Sequence, residues 1–170
     1  MATSDEPDPS LGFPPIVGEA TRILILGSLP GQQSLQAAQY YAHPQNAFWR
    51  IMADVFDITG SYEERCEGLR RAGIAVWDVL ASSVRPGSLD ADIEMPSARA
   101  NDFDAFFAAY PAIARVCFNG RKAEQLFERM VMPQLEGGER RYVGLPSTSP
   151  AFAAMRYEQK LETWRSILQA

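Results

Sequence analysis

Four short apolar runs punctuate the chain. Ile23-Leu24-Ile25-Leu26 ends at Gly27 and Pro30-Gly31, and Ile74-Ala75-Val76-Trp77 runs on through Asp78-Val79-Leu80. Arg115-Val116-Cys117-Phe118 ends at Asn119-Gly120, and Arg141-Tyr142-Val143-Gly144-Leu145 ends at Pro146. Unbroken rather than alternating apolar residues mark strands buried on both faces, the pattern of a parallel sheet. Helical spacing fills the intervals at 46–55, 62–71, 102–110, 122–132 and 157–168. Asn101 or Asp102 can cap the third of these helices, and Gly73 is a stop signal after the second. Strands alternating with helices require right-handed crossovers, so the expected class is α/β: a three-layer α/β/α sandwich around a four-stranded parallel sheet. Ligands of such sheets bind beyond the carboxyl ends of the strands. The polar, Gly/Pro-rich strings 27–31, 78–87, 119–120 and 146–150 all fall there.

Length and composition narrow the picture. With 170 residues, 46% of them hydrophobic and 22% charged, the chain reads as one globular domain over 21–170. Residues 1–20, with Pro7, Pro9, Pro14 and Pro15, read as a flexible acidic tail. The formal charge of −5 argues against a protein that coats nucleic acid. However, Asp5, Glu6, Asp8 and Glu19 lie in that tail; removing those four from the 21 acidic residues leaves 17 against 16 basic ones, a net of −1. No apolar run is long enough to span a bilayer, and the start is unlike a secretory signal, so a soluble cytoplasmic protein is expected. Two cysteines, Cys66 and Cys117, and the single His43 supply too few ligands for a structural zinc or an iron–sulfur cluster. Free buried thiols are the expectation.

The loop strings exclude several chemistries. Gly27-Ser28-Leu29-Pro30-Gly31 lacks both the ending of a phosphate-binding P-loop and the spacing of the dinucleotide fingerprint. No G-x-S-x-G elbow accompanies His43, which removes a serine-hydrolase triad. His43 reads most simply as a residue that structures the loop before Pro44. What stands out is Tyr40-Tyr41-Ala42-His43-Pro44-Gln45-Asn46-Ala47-Phe48-Trp49, denser in rings and amides than the packing of one helix needs. Rings can hold a base by stacking, and an amide can orient water or read a base edge.

Leu26-Gly27-Ser28-Leu29-Pro30-Gly31, the string from Tyr41 to Trp49, the stretch from Trp77 to Leu89 and Leu145-Pro146-Ser147-Thr148-Ser149-Pro150-Ala151 together resemble the uracil-DNA glycosylase superfamily. Within it they look most like the hypoxanthine-DNA (deoxyinosine) glycosylase branch. The resemblance runs in order from about Arg22 to the C-terminus. It implies the α/β/α sandwich already expected, and hydrolysis of the N-glycosidic bond of a deaminated base flipped out of double-stranded or single-stranded DNA. It also implies a monomer that needs no cofactor and no metal.

Residue roles follow from the resemblance position by position. Leu29 stands where other branches carry a carboxylate or an asparagine, so the task of orienting water passes to Asn46. The geometry of an oxocarbenium-like transition state favours positioning over strong basicity. Phe48 is expected to stack on the extruded base, although a place in the core is its competing role. Asp78 and Asn119, at strand ends, are candidates for the base edge, since a hypoxanthine lactam offers an N1–H donor and an O6 acceptor. Asp78 capping the following loop is the alternative. Ser147 stands where relatives place a histidine or an asparagine and can only donate a neutral hydrogen bond. Ser149 on one side, with Ser28 and the Gly31 amide on the other, are expected at phosphates. Phe152 or Met155 is expected as the wedge that fills the vacated stack, with Arg156 reaching the backbone. Around that loop Arg140, Arg141, Arg156, Lys160 and Arg165 face only Glu139, Glu158 and Glu162, a modest positive surplus.

Overall fold

Leu24, Ile25 and Leu26 have no solvent exposure, and their side chains alternate between two apolar clusters, one on each side of the central sheet. The computed structural model describes residues 8–170. In chain order its strands are β1 (Ser10–Leu11), β2 (Ile23–Gly27), β3 (Ile74–Asp78), β4 (Leu80–Ser83), β5 (Arg99–Ala100), β6 (Arg115–Asn119) and β7 (Arg141–Leu145). The α-helices are α1 (Gln32–Ala37), α2 (Phe48–Phe56), α3 (Tyr62–Arg71), α4 (Phe103–Ala109), α5 (Arg121–Met130) and α6 (Tyr157–Leu168). β3, β2, β6 and β7 lie side by side in that order, every pair parallel. Leu24, Leu26, Val116 and Phe118 meet Phe103, Phe106, Leu126 and Phe127 from α4 and α5. Ile25, Ile74, Val76 and Cys117 meet Phe48, Met52, Leu69 and Trp164 from α2, α3 and α6. These are the three layers the sequence predicts. Each fully buried Leu, Ile or Phe contributes about 1.5–3 kcal/mol of transfer free energy, so the apolar runs are reason enough for this packing.

Local chemistry sets the boundaries. Asp102 caps α4 by accepting the Ala105 N–H at 3.1 Å, while Asn101 donates to the Asp78 carbonyl at 2.8 Å. Ser61 and Glu64 form a reciprocal capping box at the start of α3. Asn46 lies before its helix rather than in it. Its Oδ1 accepts the Phe48 N–H at 3.0 Å and α2 begins only there. Cys66 and Cys117 are free and buried.

Two expectations are corrected. The apolar run 74–80 is two strands: β3 ends at Asp78, and although Val79 N–H still donates to the Gly27 carbonyl at 2.8 Å, the chain from Leu80 takes new antiparallel partners. Its continuation, β4, joins β1 and β5 in a second, antiparallel sheet. Nor are residues 8–20 a flexible tail: Ser10 pairs with Ser83, Ile16 is buried and bridges Val76, and the Phe13 carbonyl accepts from Trp77 Nε1 at 3.0 Å. Prolines exclude helix but not an extended segment laid along an edge. Of the expected tail, residues 1–7 lie outside the described residues.

Candidate active site

The parallel strands deliver Gly27, Asp78, Asn119 and Leu145 to one rim. At its centre a missing side chain matters. A Cβ on Gly27 would lie 2.6 Å from Asp78 Oδ1 and 3.1 Å from the Tyr41 hydroxyl, so only glycine lets the carboxylate and the phenol converge there. Asp78 is 4% exposed and its Oδ2 has no hydrogen-bond partner among the described residues; the Tyr41 hydroxyl is likewise buried and unpartnered. Burial, with the charge of Asp90 adding to it and Arg85 opposing, pushes the Asp78 carboxyl up to about 7. Burial and the neighbouring Asp78 raise the Tyr41 phenol well above its ordinary value, with the nearby Asn119 amide opposing, so it stays protonated. Two orphaned polar atoms in a buried corner are unusual and call for a partner.

The aromatic string supplies a wall. Tyr41 and Phe48 stack with centroids 4.2 Å apart and planes at 29°, and Phe48 also meets Trp49 and Trp164 edge-on. Phe48 has no exposed surface whereas Tyr41 is half-buried, so Tyr41 is the member of the pair with surface to offer a ligand. The expectation that Phe48 stacks on a base is therefore corrected: the ring lies beneath Tyr41, packed on the core. Tyr41 was missed by the sequence reading. The signal that could have found it is its place in the same string, reinforced in three dimensions by a left-handed backbone, φ 54°. A bulky residue seldom adopts that conformation, and it concentrates at functional sites. Asn46 is partly exposed beside this wall. Its Oδ1 keeps a second lone pair and its amide N–H groups have no partner among the described residues. His43 Nδ1 accepts the Gln45 N–H at 3.0 Å, the loop-structuring role expected of it.

Asn119 behaves differently. Its Nδ2 donates to Thr148 Oγ1 and its Oδ1 accepts the Thr148 N–H, both at 2.9 Å. One N–H and one lone pair of the amide go to the last loop, so Asn119 is a clamp, and its second N–H and second lone pair are what it has left to offer a base edge. The Thr148 carbonyl in turn accepts the Ala47 N–H at 3.0 Å, tying the Asn46 turn to the same clamp. Ser147 Oγ accepts the Ser149 N–H at 3.1 Å and Ser149 Oγ accepts the Ala151 N–H at 3.2 Å. Each hydroxyl proton remains available to a ligand.

Across the rim the expected phosphate contact of Ser28 is also corrected. Ser28 is 7% exposed and its hydroxyl donates to Asp90, whose carboxylate would repel a phosphate. Arg85, 4% exposed, explains the local order: it donates to the Leu29 and Pro30 carbonyls and lies 3.6 Å from Asp90 Oδ1. Gly31 sits against Ser88, whose Oγ accepts the Gln32 N–H at 2.8 Å. Leu29 is buried in the core cluster, as a residue without catalytic chemistry can be.

Beyond Pro150, Phe152 is 37% exposed while Met155 is partly buried, so Phe152 is the one of the two that projects. Arg156 is exposed at the start of α6, its N–H held by Gln159 Oε1 at 3.1 Å. The positive surplus expected around this loop does not gather at the rim. Arg140 lies 3.8 Å over the Phe107 ring, Arg141 begins β7 at the far end of the sheet, Arg165 donates to the Asp54 carbonyl, and Lys160 is buried. Arg156 alone of the five is left exposed beside Phe152. Among the described residues no three His, Cys, Asp or Glu side chains come together to hold a metal ion, and no helix is long and apolar enough to cross a membrane. A groove of about 780 Å³ between α2 and α3 is lined by Glu63, Glu64, Glu67 and Arg71, away from this rim and from its aromatic wall.

A parallel sheet with a buried carboxylate, an aromatic wall and a projecting apolar residue at one rim suits the recognition of a flipped base. The family model of the Uracil DNA glycosylase superfamily matches residues 14–168, and the chain belongs to that superfamily as a DNA glycosylase. It is similar to a protein named hypoxanthine DNA glycosylase from Methanosarcina acetivorans, 36% identical over 77% of this chain and 89% of the relative. A protein of the same name from Methanosarcina barkeri is 41% identical over 66% of this chain and 72% of the relative. Among solved structures, a solution NMR structure from Methanosarcina acetivorans, described as a candidate uracil DNA glycosylase, superposes with a TM-score of 0.76 at 33% identity. That match covers 95% of this chain and 98% of the other.

Proposed function

We propose that this glycosylase removes hypoxanthine from deoxyinosine in DNA, with lesser action on uracil, and leaves an abasic site. The observation that carries the reading is the unpartnered, buried Asp78 carboxylate beside the aromatic wall; the names of the two curated relatives point the same way. The base leaves the stack and lies on the exposed side of Tyr41, with Phe48 backing the ring from beneath. Ionised Asp78 accepts the N1–H of the lactam. Adenine, with a bare N1 acceptor and an amino group in place of O6, offers that carboxylate no donor at N1, which separates the lesion from the adenine it derives from. Uracil carries an N3–H of the same kind on a smaller ring, hence the lesser action.

The Asn46 amide holds a water against C1′ of the sugar. As the bond from C1′ to N9 breaks, its electron pair leaves with the base, water oxygen bonds to C1′, and the water proton passes to solvent. With Leu29 at the first motif no carboxylate serves as base, so the rate rests on positioning and on stabilising charge in the oxocarbenium-like transition state. Ser147 and Ser149 hydroxyls donate to the DNA backbone at the last loop, Phe152 fills the vacated stack and Arg156 meets a phosphate. The protein works as a monomer without metal or cofactor. The test is incubation with a duplex carrying one deoxyinosine, followed by alkaline cleavage of abasic sites, beside duplexes carrying uracil opposite guanine or an undamaged adenine. Strand breaks at deoxyinosine in excess of those at uracil are expected. Equal cleavage of adenine, or none of deoxyinosine at any enzyme concentration, would overturn the reading.

A further inference from the structure

Lys160 is the buried cation that the proposed chemistry leaves without a task. It is the fourth residue of α6, only 6% exposed, and has no acidic partner among the described ion pairs. Its ammonium instead donates to the Phe152 carbonyl at 2.9 Å and reaches the Ser149 carbonyl at 3.5 Å. Those two carbonyls belong to the ends of one tight turn, closed by the Phe152 N–H donating to Ser149 O at 3.0 Å with Pro150 and Ala151 at its corners. The Phe152 ring itself stands over the ammonium, 5.2 Å from centroid to nitrogen. Burying an ammonium without a counterion is costly, and burial accordingly pulls its pKa down. A turn at the surface needs no such group to close. The geometry does one specific thing: it fixes both ends of the turn and the ring it presents.

We infer that Lys160 is a positioning residue that pins the Ser149–Phe152 turn so that Phe152 points into duplex DNA as the wedge, acting on base extrusion and not on bond cleavage. The inference rests on the glycosylase reading above. It separates from that reading because a wedge is needed where a base must be pulled from a stacked, paired helix, and far less where the base is already unstacked in a single strand.

The experiment therefore compares the wild-type protein with Lys160→Met, Lys160→Arg and Phe152→Ala on the same deoxyinosine oligonucleotide, single-stranded and annealed, at saturating enzyme. Lys160→Met keeps the stem and removes the donors; it should lose about tenfold or more on the duplex and less than about threefold on the single strand. Lys160→Arg, whose fork can still reach two carbonyls, should recover most of the duplex rate. Combining Lys160→Met with Phe152→Ala should cost no more on the duplex than Phe152→Ala alone. Equal losses on both substrates, full activity of Lys160→Met, or additive losses in the double variant would each overturn the inference. Should Lys160→Met fail to fold, judged by its unfolding transition, Lys160→Gln takes its place in the same test, and an unchanged duplex-to-single-strand ratio in Lys160→Gln would overturn it. If the wild-type protein yields no abasic sites on either substrate, the proposed function fails instead.

Discussion

Asp78 and Asn119 close the two strands that flank β2, and by residue type and place in the sequence either suits a base edge. Their surroundings separate them. Asn119 finds both complements of its amide in Thr148, donor to acceptor and acceptor to donor, and so welds β6 to the last loop. Asp78 finds none for its Oδ2, although it is as deeply buried, and the hydroxyl that faces it from Tyr41 is unpartnered as well. A buried polar group that is satisfied internally holds structure, whereas one left unsatisfied costs stability unless something outside the chain completes it. One strand end braces the rim and the next is held ready for a ligand.

Substitutions can break this comparison in a definite order. The largest effect should come from the brace beneath the wall: Phe48→Ala removes a fully buried ring that touches Tyr41, Trp49 and Trp164, and should lower unfolding stability by about 3–5 kcal/mol in a urea titration. A cost below about 1 kcal/mol would mean that the ring is not core. Next is Asn46→Ala, which should reduce deoxyinosine excision about 10²–10³-fold with little change in the unfolding midpoint, since the loss of one positioned polar group at the reacting centre is of that order. Undiminished product would remove Asn46 from its role.

Asp78→Asn sharpens the contrast because its two effects have opposite signs. The folded state raises the carboxyl to about 7 from an ordinary value near 4, so the neutral form is the one that suits the fold. The stabilising contribution is complete below about pH 4 and is lost as pH rises through about 7; above that the buried carboxylate costs on the order of 4 kcal/mol. At pH 8 Asp78→Asn should therefore unfold at higher urea than wild type, while excising hypoxanthine about tenfold or more slowly. Asn119→Ala should do the reverse on stability, losing about 2–3 kcal/mol by stranding the Thr148 N–H and hydroxyl. If Asn119→Ala abolishes excision with no loss of stability, the assignment of the two residues is inverted. The smallest effect is in the pH profile. Because ionised Asp78 is the acceptor for N1–H, kcat/KM for deoxyinosine should rise with pH to a plateau above about 7 and be flat across that range in Asp78→Asn. The groups facing this carboxyl are the Tyr41 hydroxyl, Asp90 and Arg85, and replacing Asp90 by Asn should move the rise to lower pH.

Much of the architecture was legible beforehand because it rests on local pattern. The unbroken runs at Ile23, Arg115 and Arg141 became parallel strands, the spacing at Tyr62 and Tyr157 became helices with the expected bounds, and Asp102 capped its helix. The run from Ile74 to Leu80 misled because continuous hydrophobicity cannot show where a chain leaves one sheet for another. The prolines before Ile16 misled because edge pairing is a long-range contact, with Ser10 lying against Ser83. At the site, the loops and most of the residues that line them could be named in advance, but not which ring of the Tyr41–Phe48 pair keeps its surface. Nor could the bracing roles of Arg85 and Lys160 be read, since an arginine or lysine in a sequence looks like solvent-facing charge until its carbonyl partners from distant loops are in place.

The sequence by itself determined the layers, the rim and the inventory of groups brought to it, because burial of apolar runs and helix capping depend on near neighbours in the chain. Tertiary structure alone decided which of those groups are free to act. Gly27 admits Asp78 and Tyr41 to one corner, Thr148 ties Asn119 to the last loop, and Asp90 takes the Ser28 hydroxyl proton. Whether a polar atom is satisfied depends on partners tens of residues away, and only the folded chain brings them within hydrogen-bond reach.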